Sequence, residues 1–529
     1  MNPARHTHEP PYDPSPSPGL RFEQFRQICA NGFGDGHNSF AHSAAWFKGC
    51  LYVGTTRSNL CMLKLSLTHL CGDLSQLSAW PVECPATVEG IYELDRRAQI
   101  WRYSPLTGQW QQVYRSPLVN SANQEAIEVK GIDGRSEVIG TKDALVPRDI
   151  GYRGMTVFQG ESDPEPVLYV ATWAPRLAPG PLILRSDDGI TFVPVSDYGV
   201  IGLPITSLRS LTPFQGRLFI APTGSRGGKM NVSAVPVVYE SRDPSRGQWR
   251  AACEPGFGEL RNESIFSLCS STDWLYAGTF NCEGFQVWRT DARGDPPYHW
   301  SRVLERGAGR GPFNQIALSM AMFKGALYVG SGIQNGGYDR INNIGPAAPQ
   351  LIRLLEDGRC DLIIGNAHEN SDDIKEPLSG LVDGFGNSFN GYFWRMAVHD
   401  DWLYLGTYES SGLMGWIDLD ELPHYAKHLV EGVGVKHIMN YRGFELWRSW
   451  DGENWLPVDR KGFNNPFNCG VRNLISSPAG LFVGTANPFG PRIATRLGND
   501  WVYEDNPKGG LEVWLGKHSP HIHSVQQNV

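Results

Sequence analysis

LYVGT (51–55), LYVAT (168–172), LFIAP (218–222), LYAGT (275–279), LYVGS (327–331), LYLGT (403–407) and LFVGT (481–485) are copies of one phrase. A turn precedes most of them: FKG, FQG, FKG again, or HDD. A second phrase follows several: IWRYSPLTGQW (100–110), ILRSDDGITF (183–192), YESRDPSRGQW (239–249), VWRTDARGDPPYHW (287–300) and LWRSWDGENW (446–455). Alternating apolar residues, a polar turn and renewed alternation mark an antiparallel hairpin. Seven such units without helix-period spacers predict an all-β fold, a seven-bladed β-propeller of four-stranded antiparallel blades.

In each blade the LYVGT phrase is strand b, the stretch before it strand a, the WRS-type phrase strand c, and the segment after the DG-type turn strand d. The blades run 40–114, 152–195, 207–252, 265–304, 317–364, 392–458 and 471–516, and the last stops at strand c, GGLEVWLG (509–516). FEQFRQICANGFG (22–34) ends as blades three and six do, in GFG or GFN. Residues 22–29 are therefore expected to supply the missing strand, so that the N-terminus pairs with the C-terminal blade and no sheet edge stays open. The domain then spans 22–516, with 22–34 as the closing segment. A Pro-rich tail, 1–21, is expected to be disordered, and 517–529 forms a second tail. The insertions 56–98, 116–148, 224–236, 332–350, 366–390, 410–442 and 486–508 fall in the b–c and d–a connections, on one face of the ring. Long loops on one rim of a rigid ring build binding sites. DLDELPHYAKHLVEG (418–432) reads as a short helix with Asp at its N-cap.

The bulk numbers agree with this architecture and exclude several functions. Sixty Gly and 37 Pro suit a turn-dense fold, and 17 Trp and 19 Tyr suit packing between blades. A net charge of −8 leaves no basic footprint for nucleic acid. No run approaches the ~18 apolar residues of a membrane span, and the N-terminus has no signal-peptide core. The ten Cys lack a CxxC pair, so mostly reduced thiols and a cytoplasmic location are expected.

Aligning strand a across the blades gives one column, His42, Arg153, Arg209, Phe266, Leu318, Trp394 and Arg472. The next column is Ser43, Gly154, Ser210, Ser267, Ser319, Arg395 and Asn473. Inner strands of a propeller line its axis, where small Ser and Gly fit the crowding. The guanidinium groups of Arg153, Arg209, Arg395 and Arg472 need partners there. Either internal acids (Asp149, Glu263, Asp383, Glu409) supply them, or a carboxylate, phosphate or phenolate of a substrate does. Trp394, Tyr152 and Asn390 complete the expected substrate wall. Asn390 equally reads as one of the turn asparagines that recur before strand a. Asp149, Glu263, Tyr338, Asp339 and His42 are the candidate proton-transfer groups. Tyr338 and Asp339 come from the loop GIQNGGYDR (332–340), which also reads as a solvated turn.

No HxH, HExxH or zinc quartet appears, and His424 and His428 share one helix face without a third ligand. No metal ligand set is therefore named, although a carbonyl-lined axial divalent cation leaves no sequence signal. GxGxxG, GxxxxGK[ST] and GxSxG are absent, so no nucleotide or other cofactor is expected, nor a Ser nucleophile elbow.

The joined pattern SMxxFKGxLYVGS (319–331) and GxxLWRSxDGxxWxxV (443–458) resembles a group of uncharacterised bacterial seven-bladed β-propeller proteins, over most of 32–516. The chain is also similar to the propeller half of the cylindrocyclophane-forming alkylase, which joins a resorcinol to an alkyl halide. That family carries calcium repeats, which are not readable here, and none of its catalytic residues maps onto this sequence. SDDGITF and SWDGENW partly echo the Asp repeats of bacterial neuraminidases, a structural turn. Together these readings point to an enzyme acting on a small phenolic or carboxylate-bearing substrate in a central funnel. Its chemistry would be nucleotide-independent acid–base or substitution chemistry (cyclisation, alkylation, elimination) of natural-product tailoring type. A non-catalytic ligand- or protein-binding propeller and a metal-dependent hydrolase or lyase propeller are the alternatives.

Overall fold

The structure, a computed structural model, describes residues 18–64, 79–122, 128–130, 136–138, 144–224, 231–339, 341–370, 373–417 and 424–518. The architecture is all-β and antiparallel. Every LYVGT-type phrase lies in a strand b: Cys50–Arg57, Val167–Trp173, Arg217–Thr223, Leu275–Phe280, Ala326–Gly332, Trp402–Glu409 and Gly480–Ala486. Each pairs with the strand a before it and the strand c after it. The strands a are Asn38–Phe47, Gly151–Phe158, Ser207–Phe214, Ser264–Ser270, Ile316–Phe323, Asn390–His399 and Gly470–Ser477. With strand d the pairing forms seven four-stranded sets, called one to seven in chain order.

The a–b turns show why the FKG and HDD phrases recur. Lys48–Gly49, Lys324–Gly325 and Asp400–Asp401 all have positive φ at both central positions, the type I′ geometry that matches strand twist. The glycine of the repeated phrase serves another purpose. A Cβ on Gly406 would lie 2.3 Å from Val471 Cβ, and one on Gly484 would lie 2.7 Å from Ala41 Cβ. The small residue is where the next set's strand a comes closest.

Strand d of set seven comes from the N-terminal segment. Phe25–Cys29 pairs with Val513–Gly516, Phe25 opposite Gly516 and Arg26 opposite Leu515. The first three residues of the expected strand, Phe22–Gln24, form a 3-10 turn instead. The segment expected to be disordered is docked from Gly19 onward: Leu20 is fully buried, and its N–H donates to Tyr404 Oη at 2.8 Å. Successive sets touch through single bridges, among them Thr56–Gly151, Trp173–Ser207, Gly332–Tyr392 and Tyr408–Gly470. Phe40 of set one bridges Ala486 of set seven.

The GFG and GFN phrases are turns in which phenylalanine adopts left-handed backbone, at φ 64° for Phe33 and 58° for Phe385. That conformation costs about 1–3 kcal/mol. It is offset by stacking on the strand-c tryptophan, Phe33 on Trp101 (4.5 Å) and Phe385 on Trp447 (4.1 Å). The recurrent asparagines close the same turns: Asn38, Asn262, Asn390 and Asn468 each donate to a turn glycine carbonyl at 2.9–3.0 Å. In the SDDG and SWDG turns, Asp188 and Asp451 accept backbone amides, the structural role expected of such repeats.

The expected helix at 418–432 is found as His424–Val433, followed by Val435–Asn440; its proposed N-cap lies outside the described residues. Cys61 and Cys84 form a disulfide at a Cα separation of 5.6 Å, an exception to the expected reduced thiols, while seven other described Cys are not disulfide-bonded. No described helix is long and apolar enough to cross a membrane.

Candidate functional site

Every strand a carries a one-register irregularity at the same height, between Ala41 and Ser43, Tyr152 and Gly154, Leu208 and Leu211, Ile265 and Ser267, Ala317 and Ser319, Phe393 and Arg395, and Val471 and Asn473. The residues left out of the ladder are those of the aligned column: His42, Arg153, Arg209 (with Ser210), Phe266, Leu318, Trp394 and Arg472. A bulge re-aims its side chain. Six of the seven bulges line one cavity of about 100 Å³, and the seventh residue, His42, lies within the electrostatic reach of all its arginines.

The second column fixes the strands to one another. Ser267 Oγ donates to Ala317 O (2.7 Å), Ser319 Oγ to Phe393 O (2.8 Å), Arg395 Nε to Arg472 O (2.9 Å), and Asn473 Nδ2 to Ala41 O. These bonds run from set four to five, five to six, six to seven and seven to one. Ser267 and Ser319 are thus bonded staples as well as small residues, whereas Ser43 Oγ is buried without a partner.

The cavity is lined by Arg153, Arg209, Arg395 and Arg472 interleaved with Phe266, Leu268, Leu318, Met320, Trp394 and Met396. Three guanidinium groups lie over aromatic rings: Arg209 on Phe266 (3.7 Å), Arg153 on Trp173 (4.4 Å) and Arg472 on Trp394 (5.2 Å). Arg209 also donates to Asn231 Oδ1. Among the described residues no carboxylate pairs with any of the four. Arg153 Nε, Arg209 Nε and Arg472 Nη1 are buried without a hydrogen-bond partner. Burial pushes Arg153 and Arg395 down to about 10. Burial and mutual repulsion hold Arg209 and Arg472 well below the guanidinium range. The same causes hold His42 well below the usual imidazole range, so its ring is neutral; its Nδ1 has no partner.

The internal acids considered as partners are engaged elsewhere. Asp149, fully buried, accepts from Arg148 Nε (3.0 Å) and Nη2 (2.8 Å) and from Ser116 Oγ (3.2 Å). Asp383 pairs with Arg310. Glu409 accepts from Ser411 N (2.9 Å) and Gly443 N (3.3 Å), and burial raises it to about 7. Cys282 Sγ lies 3.6 Å from Glu263 Oε1.

Of the expected proton-transfer groups, only His42 reaches the arginines. Asp339 accepts from Gln315 Nε2 (3.0 Å), Asn342 Nδ2 (2.7 Å) and two backbone amides, so it holds its own loop together. Tyr338 Oη donates to Asn343 Oδ1 at 2.7 Å, and Arg340 lies outside the described residues. Tyr152 points into the core between sets, its hydroxyl 3.5 Å from Ala98 O, and Asn390 belongs to the turn set. Of the expected substrate wall, the four arginines and Trp394 remain. Phe266 and Leu318 were in the aligned column without being assigned a role. Leu268, Met320 and Met396 lie two residues further along their strands, a spacing that returns to the same strand face.

Three insertions pack together beside this cavity. Leu60, Trp80, Val82, Trp416, Phe489 and Ile493 share one apolar cluster, against which Phe40, Trp394 and Tyr408 pack. Trp416 Nε1 donates to Ala494 O (2.8 Å), Tyr503 Oη to Trp80 O (3.0 Å), and Val82 bridges Ile493. The Cys61–Cys84 disulfide belongs to this cluster.

Among the described residues no group of three or more His, Cys, Asp or Glu is placed to hold a metal ion. No protein family and no curated protein matches the chain. Solved structures resemble it at low identity. A luciferin-regenerating enzyme is 10% identical over 75% of this chain and 91% of its own, with a TM-score of 0.33. A glycoside hydrolase family 43 arabinoxylan arabinofuranohydrolase from Bacillus subtilis is 11% identical over 73% and 63%, at 0.30. A nidogen/laminin complex chain is 12% identical over 56% and 90%, at 0.29. At these scores the likenesses carry no argument about this chain.

Proposed function

We propose that the seven sets are blades of a closed seven-bladed β-propeller, and that the cavity where their strands a converge receives a small organic anion. The bridge between sets one and seven and the pairing of Phe25–Cys29 with Val513–Gly516 support closure. One observation carries the ligand: four buried guanidinium groups converge without a described carboxylate. A buried charge needs compensation, and arginine's planar fork suits carboxylate, phosphate and phenolate oxygens. Phe266, Leu318, Met320 and Met396 among the lining side chains leave a small apolar surface for the hydrocarbon part of the same molecule. Four cations also repel a divalent metal from this position.

The chemistry this arrangement favours is nucleotide-independent proton abstraction. The arginines stabilise the negative charge that develops on a bound phenol or carboxylate-bearing carbon acid. The His42 imidazole, kept neutral by burial and by the four arginines, accepts the proton once the bound anion has offset their charge. Ligand binding without turnover is a second reading, favoured by the structural engagement of Asp149, Asp339 and Tyr338.

Calorimetry with 4-hydroxybenzoate tests the site, comparing the natural chain with Arg153→Met and Arg472→Met. Each variant is expected to weaken binding at least about tenfold, the cost of one charge-assisted contact. Equal binding by all three proteins eliminates the reading. His42→Gln separates the two alternatives: binding is retained in both, and turnover is lost only if the imidazole takes the proton.

A further inference from the structure

We infer that the ligand of this cavity carries at least two negative charges on one small body. The inference rests on the anion site proposed above and narrows its substrate class to dicarboxylates and phosphate monoesters. Arg153, Arg209, Arg395 and Arg472 bring four unneutralised charges to a space of about 100 Å³. A monoanion cancels one of them and leaves the rest repelling each other.

Hydrogen-bond capacity points the same way. Each guanidinium offers about five N–H donors. Among the described residues, side-chain bonds from the four groups reach only Asn231 Oδ1 and Arg472 O. Three of the groups have one face against an aromatic ring, which leaves their in-plane edges to grip oxygen atoms. A single carboxylate has too few oxygens for edges that come from four separate strands; two carboxylates or a phosphate supply more. The size of the space and the small apolar surface of Phe266, Leu318, Met320 and Met396 limit the rest of the molecule to a few carbons or one ring.

The near-isosteric pair butyrate and succinate tests the charge, with ethyl phosphate as the phosphate arm and sulfate as the control without an apolar body. Affinities are measured by calorimetry at constant ionic strength, for the natural chain, Arg209→Met and Arg472→Met. Succinate or ethyl phosphate is expected to bind at least about thirtyfold tighter than butyrate, since an added charge among cations in a low-dielectric site gains at least that much. Arg209→Met is expected to reduce the ratio to about threefold to fivefold by removing one cation from the set. Whichever dianion is tighter identifies the head group. If butyrate binds, Arg472→Met weakens it, and both dianions stay within threefold of it, the dianion inference fails while the anion site stands. If sulfate matches the best organic dianion, the site takes an adventitious ion only, and the inference fails. If no probe binds and Arg472→Met changes nothing, both fail.

Discussion

Arg153→Met is expected to stabilise the ligand-free protein. The guanidinium is pushed down from its ordinary range to about 10 by burial alone. At about 1.4 kcal/mol per tenfold, this displacement corresponds to roughly 3 kcal/mol of folding free energy lost at neutral pH. Methionine removes that cost. It gives up the stacking of the cation on Trp173, worth about 1–2 kcal/mol, and regains part of it as a sulfur–aromatic contact. The net expectation is a gain of about 1–2 kcal/mol. The sign follows from the direction of the displacement. The group's folded-state value lies below its unfolded one, so the cost is complete below pH about 10 and is relieved as pH rises from there toward 12.5. Between pH 6 and 9 the difference between variant and natural chain is therefore constant. Urea unfolding followed by tryptophan fluorescence, in a buffer free of multivalent anions, measures it. Adding a dianionic ligand is expected to reverse the order, because only the natural chain keeps the full cation set. A variant less stable by more than about 1 kcal/mol without added anion would refute the reasoning, since it would mean that Arg153 already has a compensating partner.

Glu409→Gln is expected to flatten the pH dependence of stability. Burial raises this carboxyl from 4.5 to about 7, so its cost is absent below pH 4.5, grows through pH 7 and reaches roughly 3 kcal/mol above it; urea midpoints between pH 5 and 8 measure the slope, and an unchanged slope assigns it to another group. Gly406→Ala is expected to cost about 2–3 kcal/mol by overpacking against Val471. Gly108→Ala, in open space at φ 70°, is expected to cost only about 1–2 kcal/mol; equal losses would show that the close approach of set seven is not what demands the glycine. Removing residues 18–29 strips strand d from Val513–Gly516 and uncovers the pocket of Leu20 and Phe25. Size-exclusion chromatography is expected to show association through the bared edge, and a monomer of natural stability would remove the latch.

The repeated phrases carried the strand plan because each residue in them has a recurring packing task. The glycine of LYLGT admits Val471, and the Lys–Gly and Asp–Asp pairs make the same primed turn. The pairing of Phe25–Cys29 with Val513–Gly516 was legible because residues 22–34 end as other repeats end. The site was legible as a column of residues and opaque as a geometry. A one-residue bulge leaves the apolar alternation nearly intact, so nothing in the letters announces that Arg153 and Arg472 leave the ladder. The pairing of acids misled for a related reason: Asp149 precedes strand a by two residues, yet its neighbour Arg148 claims it before Arg153 can. Spacing gave no sign of the Cys61–Cys84 bond, which depends on how a long insertion folds back. The turn asparagines are the opposite case, since their repetition already argued for the turn that Asn390 makes.

The bulged residues sit outside the strand pairing, so they can be exchanged without shifting the register of any sheet. The scaffold is specified by glycines, tyrosines and turn pairs; most of the charge and bulk at the lining comes from the bulged positions, joined by Arg395. A chain with the same phrases and other residues at those positions would keep this architecture and present a different lining. What such a chain binds should therefore be forecast from those positions, and its foldability from the others.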